Sequence, residues 1–426
     1  MRADRLAQAG DIAQAGLRRH RLQRHRGVLE ERAGSLEAQP QEETTVDRSR
    51  GLGAAELRAR PFDELSDAAW EREAAAGGAR ARPLRVVAKV PETDDAVTVL
   101  FEDPKHDRLT FAVGQHLTLE LALGGERVRR SYSLAGTPGE PGLAITVKRV
   151  PSGVMSNHLH DGVRVGDVVR SFGPSGSFVA GEPPTGRPRR LLLVAGGSGI
   201  VPLAAIARDV LAREPDARVA LIYGAASKPR AIYAGALDEL ARLHEDRFSL
   251  QRVLEAADGA SSAVGRLDEA GLGPVLDALP AARFERVMLC GPDAMRAAAR
   301  RSLEARGVDP GAIVEESFVS PRPARVSTEP QVATIVGDDG EAHAFPVPPG
   351  RTLLDAALDA GEAVPFSCTG GSCGACRVTL LDGQDAVALD EPNEVTPSDR
   401  AAGVVPACLA RLNGPVRFAV GDGGRR

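Results

Sequence analysis

Along this chain the spacing of apolar residues changes twice, and each change marks a different kind of element. From Pro83 the runs LRVVAKV, AVTVLF, HLTLELAL and LAITVKRV are short, alternate apolar with polar residues, and are separated by Gly, Pro and Asp. A period of two bounded by turn residues predicts β-strands, here a small barrel or sandwich of about 100 residues. Beyond Pro183, Pro184 and Pro188 strands alternate with helices: RLLLVAG, a helix from Pro202, RVALIYGA, a helix over GALDELARL, FSLQRVL, then RVMLCG and a helix from Asp293. That alternation predicts a parallel α/β sheet, the class that binds nucleotides at the carboxyl ends of its strands. Pro321, Pro323 and Pro330 then predict a semi-rigid linker. The expected organisation is an extension over 1–82, a β-barrel over 83–182, an α/β domain over 183–320, a linker over 321–330 and a separate small domain over 331–426.

Composition narrows the function classes. Residues 1 to about 80 are rich in Ala, Arg, Gln and Glu and hold Phe62 and Trp70 as their only aromatic residues, too little to bury a core, so a disordered or loosely helical extension is expected. With 43% hydrophobic residues and a net charge of -5 over the whole sequence, the chain is expected to be globular in the main and lacks the cationic stripe of a nucleic-acid binder. No window approaches the roughly 20 apolar residues of a spanning helix, so no membrane insertion is expected. The N-terminus has arginines but no apolar core of a signal peptide, and a cytoplasmic location follows as an expectation.

Four of the five cysteines, Cys368, Cys373, Cys376 and Cys408, lie in the last quarter as PFSCTGGSCGACRVTLLDG followed by VPACL. The spacing is C-x4-C-x2-C with the fourth Cys 32 positions after the third. Zinc ribbons favour paired C-x2-C units, whereas this asymmetric set is the plant-type 2Fe-2S spacing. Thiolates suit iron as soft anionic donors, and Gly370, Gly371 and Gly374 let the loop wrap a cluster. With RTLLDAALDAG ahead of the loop, the small domain resembles a plant-type ferredoxin, which implies an α+β, β-grasp fold.

Three further motifs carry nucleotide chemistry. In RVRRSYSL an arginine stands beside hydroxyls and an aromatic ring, groups suited to a pyrophosphate and a flavin ring. VKRVPSGVMSNHLH and GPSGSF follow it, and VAGGSGIVPL places Gly196, Gly197 and Gly199 between an apolar strand and a helix, where backbone can approach a dinucleotide. The order R-x-Y-S, G-x-x-S, G-P-x-G-x-F resembles the ferredoxin-NADP reductase family. The resemblance implies FAD, with FMN the less favoured alternative, contacted by Arg130, Ser131, Tyr132 and Ser133, lined by the backbone of Val147 and Lys148, with Gly153 and Ser156 at the pyrophosphate. It also implies that Gly196, Gly197, Gly199, Ser227, Cys290, Gly291 and Pro292 serve the nicotinamide nucleotide. Cys290, in LCGPDAM, would meet the nicotinamide face, and Ser133, Cys290 and Glu316 would form the catalytic group, with Phe318 the terminal aromatic.

Where relatives carry an Arg for the 2′-phosphate of NADPH, this chain has Ala226, with Lys228 and Arg230 as possible substitutes, so NADH and NADPH both stand. The whole pattern is similar to oxygenase reductase components such as those for ketosteroid hydroxylation and phenylacetyl-coenzyme A epoxidation. It implies transfer from NADH or NADPH through FAD and the 2Fe-2S cluster to a partner oxygenase or hydroxylase. The acceptor is expected on the C-terminal domain, which from Gln331 onward holds 13 acidic residues against seven arginines. An acyl-CoA desaturase or cytochrome P450 acceptor, or a flavin and iron-sulfur redox sensor, are the alternatives.

Overall fold

The computed structural model describes residues 82–420 except 104–108, 124–125, 141, 257–262, 280–283, 319–320, 338, 372, 392 and 394. The expected extension lies outside the described residues, apart from Arg82, which already belongs to the first strand.

The first unit contains β1 (Arg82–Thr93), β2 (Ala96–Glu102), β3 (His116–Leu123), β4 (Glu126–Ser133), β5 (Leu143–Lys148), helix α1 (Val154–Asp161) and β6 (Val168–Ser175). The antiparallel order is β4-β3-β6-β1-β2-β5. A bridge between Leu134 and Ile145 brings the two edges together, so the sheet closes as a barrel. Its interior takes one residue in two from each strand, among them Leu84, Val86, Phe101, Leu117, Leu119 and Ile145, all inaccessible to solvent. The pattern did not predict α1: only Met155, Ser156 and Leu159 of its eight residues face inward, too few for a helical period to stand out.

The second unit runs β7 (Arg190–Gly196), α2 (Ile200–Arg213), β8 (Arg218–Ala225), α3 (Ala234–Leu243), β9 (Phe248–Leu254), β10 (Ala263–Val264), α4 (Glu269–Asp277), β11 (Arg286–Cys290), α5 (Asp293–Glu304) and β12 (Ile313–Glu316). All neighbours pair in parallel in the order β10-β9-β8-β7-β11-β12. The strand order reverses beside β7, so a crevice opens between the carboxyl ends of β7 and β11. Helix α2 is buried along most of its length because it lies between sheet and barrel. Its core continues through Val113, Ala135, Ala144 and Phe178 of the barrel, so these two units share one hydrophobic core.

The third unit has β13 (Gln331–Val336), β14 (Ala342–Val347), α6 (Leu353–Asp359), β15 (Arg377–Asp382), β16 (Val387–Leu389), α7 (Pro397–Ala401), β17 (Val404–Pro406), β18 (Ala410–Leu412) and β19 (Val416–Val420). Five strands form the sheet β14-β13-β19-β15-β17, and β16 pairs with β18. Its core, from Ala333 to Phe418, takes nothing from the other units. The proline-rich segment before it differs from the expected spacer. Arg322 and Glu391 exchange two backbone hydrogen bonds of 2.7 and 3.1 Å, and the N–H groups of Ala324 and Ser327 donate to Asp390 and Asn413, each at 2.8 Å. The segment is a strap fastened to the small domain. Among the described residues no helix is long and apolar enough to cross a membrane.

Candidate functional site

The three units meet at the open end of the crevice. Parallel pairing sets Cys290 of β11 directly beside Glu316 of β12. From the barrel, Ser133 at the end of β4 donates to the Glu316 carboxylate at 3.3 Å, and His116 Nδ1 lies 4.0 Å from its other oxygen. The small domain reaches the same place through Ser367, whose hydroxyl is 3.1 Å from His116 Nε2 and 2.9 Å from the Ser175 hydroxyl. Ser133, Cys290 and Glu316, singled out from the sequence, therefore stand together, and Ser367, the residue before Cys368, reaches His116 beside them.

Burial governs the electrostatics here. It pushes the Glu316 carboxyl up to about 8, against the hydrogen bond from Ser133, and pushes the fully buried Cys290 thiol well above its ordinary value. Burial likewise lowers His116, so its ring is neutral at neutral pH. A carboxyl near 8 in the folded chain and near 4.3 unfolded retains a proton that the unfolded chain releases. Its stabilising contribution is complete below about pH 4.3 and is lost as pH rises through 8, on the order of a few kcal/mol. We expect Glu316→Gln to lose less melting temperature than the parent between pH 5 and pH 8; equal losses would assign the pH dependence to other groups.

The glycine turns fit close backbone approach. A Cβ on Gly199 would stand 2.0 Å from the Cys290 carbonyl oxygen, and one on Gly196 would stand 2.6 Å from the Met295 sulfur and 2.9 Å from Pro292 Cδ. Gly197, at φ 54°, faces Lys148 Nζ, so the end of barrel strand β5 adjoins the turn after β7. Helices α1 and α2 both begin at a glycine, Gly153 and Gly199, without a side-chain cap. At α1 the first N–H groups are thus left for an anionic group, which suits a flavin pyrophosphate, whereas the Ile200 N–H at the start of α2 is already taken by the Gly197 and Ser198 carbonyls of the preceding 3-10 turn. A Cβ on Gly153 would come within 2.6 Å of the Ser156 hydroxyl, which itself accepts from the Val150 N–H at 3.2 Å.

The four thiols of the small domain fall into two pairs, Cys368 with Cys373 and Cys376 with Cys408, each within side-chain hydrogen-bonding reach. Two thiolates to each iron is the donor set of a binuclear cluster. The N–H groups of Cys368 and Ala375 point at Cys373 Sγ at 3.4 and 3.5 Å, and that of Gly370 at Cys368 Sγ at 3.4 Å. Such donors stabilise anionic sulfur.

Several expected contributors lie elsewhere or are engaged. Alternation along β4 sends Arg130 and Tyr132 to one face and Ser131 and Ser133 to the other. The Ser131 hydroxyl donates to the Cys368 carbonyl of the cluster loop at 2.8 Å. The Val147 carbonyl already faces His160 Nε2 at 3.0 Å. Arg230 is held by Asp95 at 2.9 Å, leaving Ala226, the half-buried Ser227 and the exposed Lys228 in the turn after β8. Phe318 is 42% exposed. The sequence reading did not single out His116, Thr118, Ser175 or Ser367. The available signal was the polar set His116, Thr118 and Glu120 alternating with leucines along β3. A shallow cleft of about 420 Å³ lies at the amino ends of β7 and β8, lined by residues such as Pro183, Arg189 and Glu214, and contains none of the site residues.

Comparison with known proteins agrees with this geometry. Residues 83–179 match the oxidoreductase FAD-binding domain, 193–301 the oxidoreductase NAD-binding domain, and 336–413 the 2Fe-2S iron-sulfur cluster binding domain. The ferredoxin reductase component of 3-ketosteroid-9-alpha-monooxygenase from Mycolicibacterium smegmatis is 36% identical over 78% of this chain and 95% of its own. One of the subunits of 1,2-phenylacetyl-CoA epoxidase from Escherichia coli is 32% identical over 76% of this chain and 93% of its own. Phthalate dioxygenase reductase, at 24% identity, shares the fold with a TM-score of 0.60 over 80% of this chain and 98% of its own. Carrying these three domains and covering nearly the whole length of the first two relatives, the chain belongs to the family of FAD- and NAD-binding oxidoreductases with a C-terminal 2Fe-2S domain that includes the ketosteroid monooxygenase reductase component.

Proposed function

We propose that this protein is the reductase component of an oxygenase system, carrying electrons from NADH or NADPH to a partner oxygenase that docks on its C-terminal domain. The observation that carries the reading is the meeting of Ser133, of the Cys290 and Glu316 pair, and of the Ser367 and Cys368 loop at one point, each from a different unit. When bound, the flavin supplies conversion of the hydride pair from a nicotinamide into the single electrons that a 2Fe-2S cluster takes.

The chain's own residues bind, orient and shield. The uncapped start of α1 holds the flavin pyrophosphate, the glycine turn after β7 lets the nicotinamide nucleotide approach the backbone, and Arg130 and Tyr132 lie on the flavin side of β4. Ser133 presents its hydroxyl at the reacting edge, while buried Cys290 backs the nicotinamide. Glu316, protonated at neutral pH, places a hydrogen-bond donor there instead of a negative charge. A cytochrome P450 acceptor is a second reading, favoured by likeness to a cytochrome P450 reductase from Amycolatopsis that is 32% identical over 56% of this chain and 70% of its own, with a TM-score of 0.50.

Not all the acidic charge of the C-terminal domain is free for docking. Among the described residues Asp355, Asp359, Asp390 and Asp399 are paired with arginines, and Asp339, Glu341, Asp382, Asp385 and Glu391 are exposed acids. Exposed charge steers association and is screened beyond roughly 10 Å at 0.1 M salt. Under anaerobic conditions NADH or NADPH should reduce first the flavin and then the cluster. Reduction of the partner oxygenase should fall by about tenfold or more from low to high salt while flavin reduction does not. A partner rate indifferent to salt would remove the acidic surface from the reading.

A further inference from the structure

One face of the barrel, on β4, β3 and β6, carries polar side chains in register. The first cross-strand row is Arg129, Glu120 and Arg170. Each is at most 10% exposed at its side chain, although the alternation of β3 and β4 would assign them to solvent. Glu120 lies 2.6 Å from Arg129 and 2.8 Å from Arg170, the first contact lying off the hydrogen-bond direction. Arg129 also reaches across to helix α6, donating to Asp355 at 2.8 Å and to Asp359 at 3.0 Å. Arg351 pairs with Asp359 from the other side and donates to the Arg127 carbonyl at 3.0 Å. Three arginines and three carboxylates therefore balance in a network shared by the two domains.

The second row is Ser131, Thr118 and Phe172. Thr118 and Ser131 donate to the carbonyls of Ser367 and Cys368, and the Phe172 ring meets Phe366 edge-on at 5.0 Å. The third row, Ser133, His116 and Ser175, receives the Ser367 side chain. Two domains with separate hydrophobic cores are thus joined by a polar, register-matched contact that grips the main chain next to a cluster ligand.

We propose that this face of the barrel is a docking platform, with Arg129 its positioning residue, that holds the Cys368 side of the cluster loop in one fixed geometry for electron transfer from the flavin. Two one-electron transfers cross it for each nicotinamide oxidised. The C-terminal domain then passes charge without leaving the barrel, and the acceptor approaches from the exposed Gly374 and Ala375 side of the loop. This rests on the reading that the flavin reduces the chain's own cluster.

The test is the double substitution Asp355→Asn and Asp359→Asn, which removes the partners of Arg129 on the small domain and leaves Glu120 to compensate it. In anaerobic stopped-flow with the holoprotein, flavin reduction should keep its parent rate and the flavin-to-cluster step should slow severalfold, since the electron must then cross a longer and less fixed gap. Asp359→Glu, which keeps the charge, should stay close to the parent. Independently of turnover, small-angle scattering should show a broader distribution of interdomain distances, and proteolysis within 321–330 should accelerate. If the double variant does not retain its cluster, Thr118→Val, on the barrel and hydrogen-bonded to the Ser367 carbonyl and the Ser131 hydroxyl, is read in the same two ways. A parent-like transfer rate and scattering profile in a cluster-loaded variant overturns the platform. Failure of the unsubstituted protein to reduce its cluster would overturn the electron-transfer reading instead.

Discussion

Replacing Cys373 by serine should remove the 2Fe-2S cluster and abolish reduction of the partner oxygenase, while reduction of a small artificial acceptor by the flavin survives. Cys373 Sγ is the sulfur on which two backbone N–H groups converge, at 3.4 and 3.5 Å, and it pairs with Cys368. A serine oxygen is harder and far less acidic than a thiol, so half of one iron's protein ligands is lost. The effect on acceptor reduction should exceed the roughly 10–100-fold that follows from losing an outer-shell partner of a metal site. Hydride transfer to the flavin should persist because the barrel and the α/β domain share a core to which the small domain contributes nothing. Cluster absorbance, partner reduction and ferricyanide reduction measured on one preparation decide the matter. Loss of ferricyanide reduction in a folded, flavin-loaded variant would show that the polar platform is needed for the flavin site itself.

Gly199→Ala should be the most damaging conservative change in the nucleotide-binding half. The added carbon would lie 2.0 Å from the Cys290 carbonyl oxygen, 2.4 Å from its carbon and 2.8 Å from the Gly291 nitrogen. These are backbone atoms at the end of a central strand and cannot move aside as a side-chain tip can. Gly199 is in an ordinary helical conformation, so the cost is steric rather than conformational. Overpacking of this kind costs about 1–3 kcal/mol and here should reach or pass the upper limit. That corresponds to a drop in melting temperature on the order of 10 °C. Because the turns after β7 and β11 are forced apart, nicotinamide binding should weaken alongside stability. Calorimetry and the NADH or NADPH dependence of flavin reduction report the two effects, and a variant with parent-like values in both would mean that the two turns can separate freely. Gly235, whose added carbon meets nothing within 4 Å, is the matched control.

The local features of this chain were legible in its sequence. Alternating runs specified the barrel strands, apolar runs alternating with helical segments specified the parallel sheet, and the cysteine spacing specified the cluster, because each depends on neighbours within a few positions. The grouping of Ser133, Cys290 and Glu316 came from the family resemblance, and the fold then placed residues more than 150 positions apart within contact. Tertiary structure alone decided what the polar face of β3, β4 and β6 does. Alternation states that His116, Thr118, Glu120, Arg129 and Ser131 point away from the barrel interior, but it cannot state whether water or another domain lies there. The answer depends on Asp355, Asp359 and Ser367, more than 200 positions away, and on a proline-rich strap whose own hydrogen bonds run to Asp390, Glu391 and Asn413. Period reports which side of a strand a residue occupies, whereas burial of a charge is settled only by the partner that arrives to neutralise it.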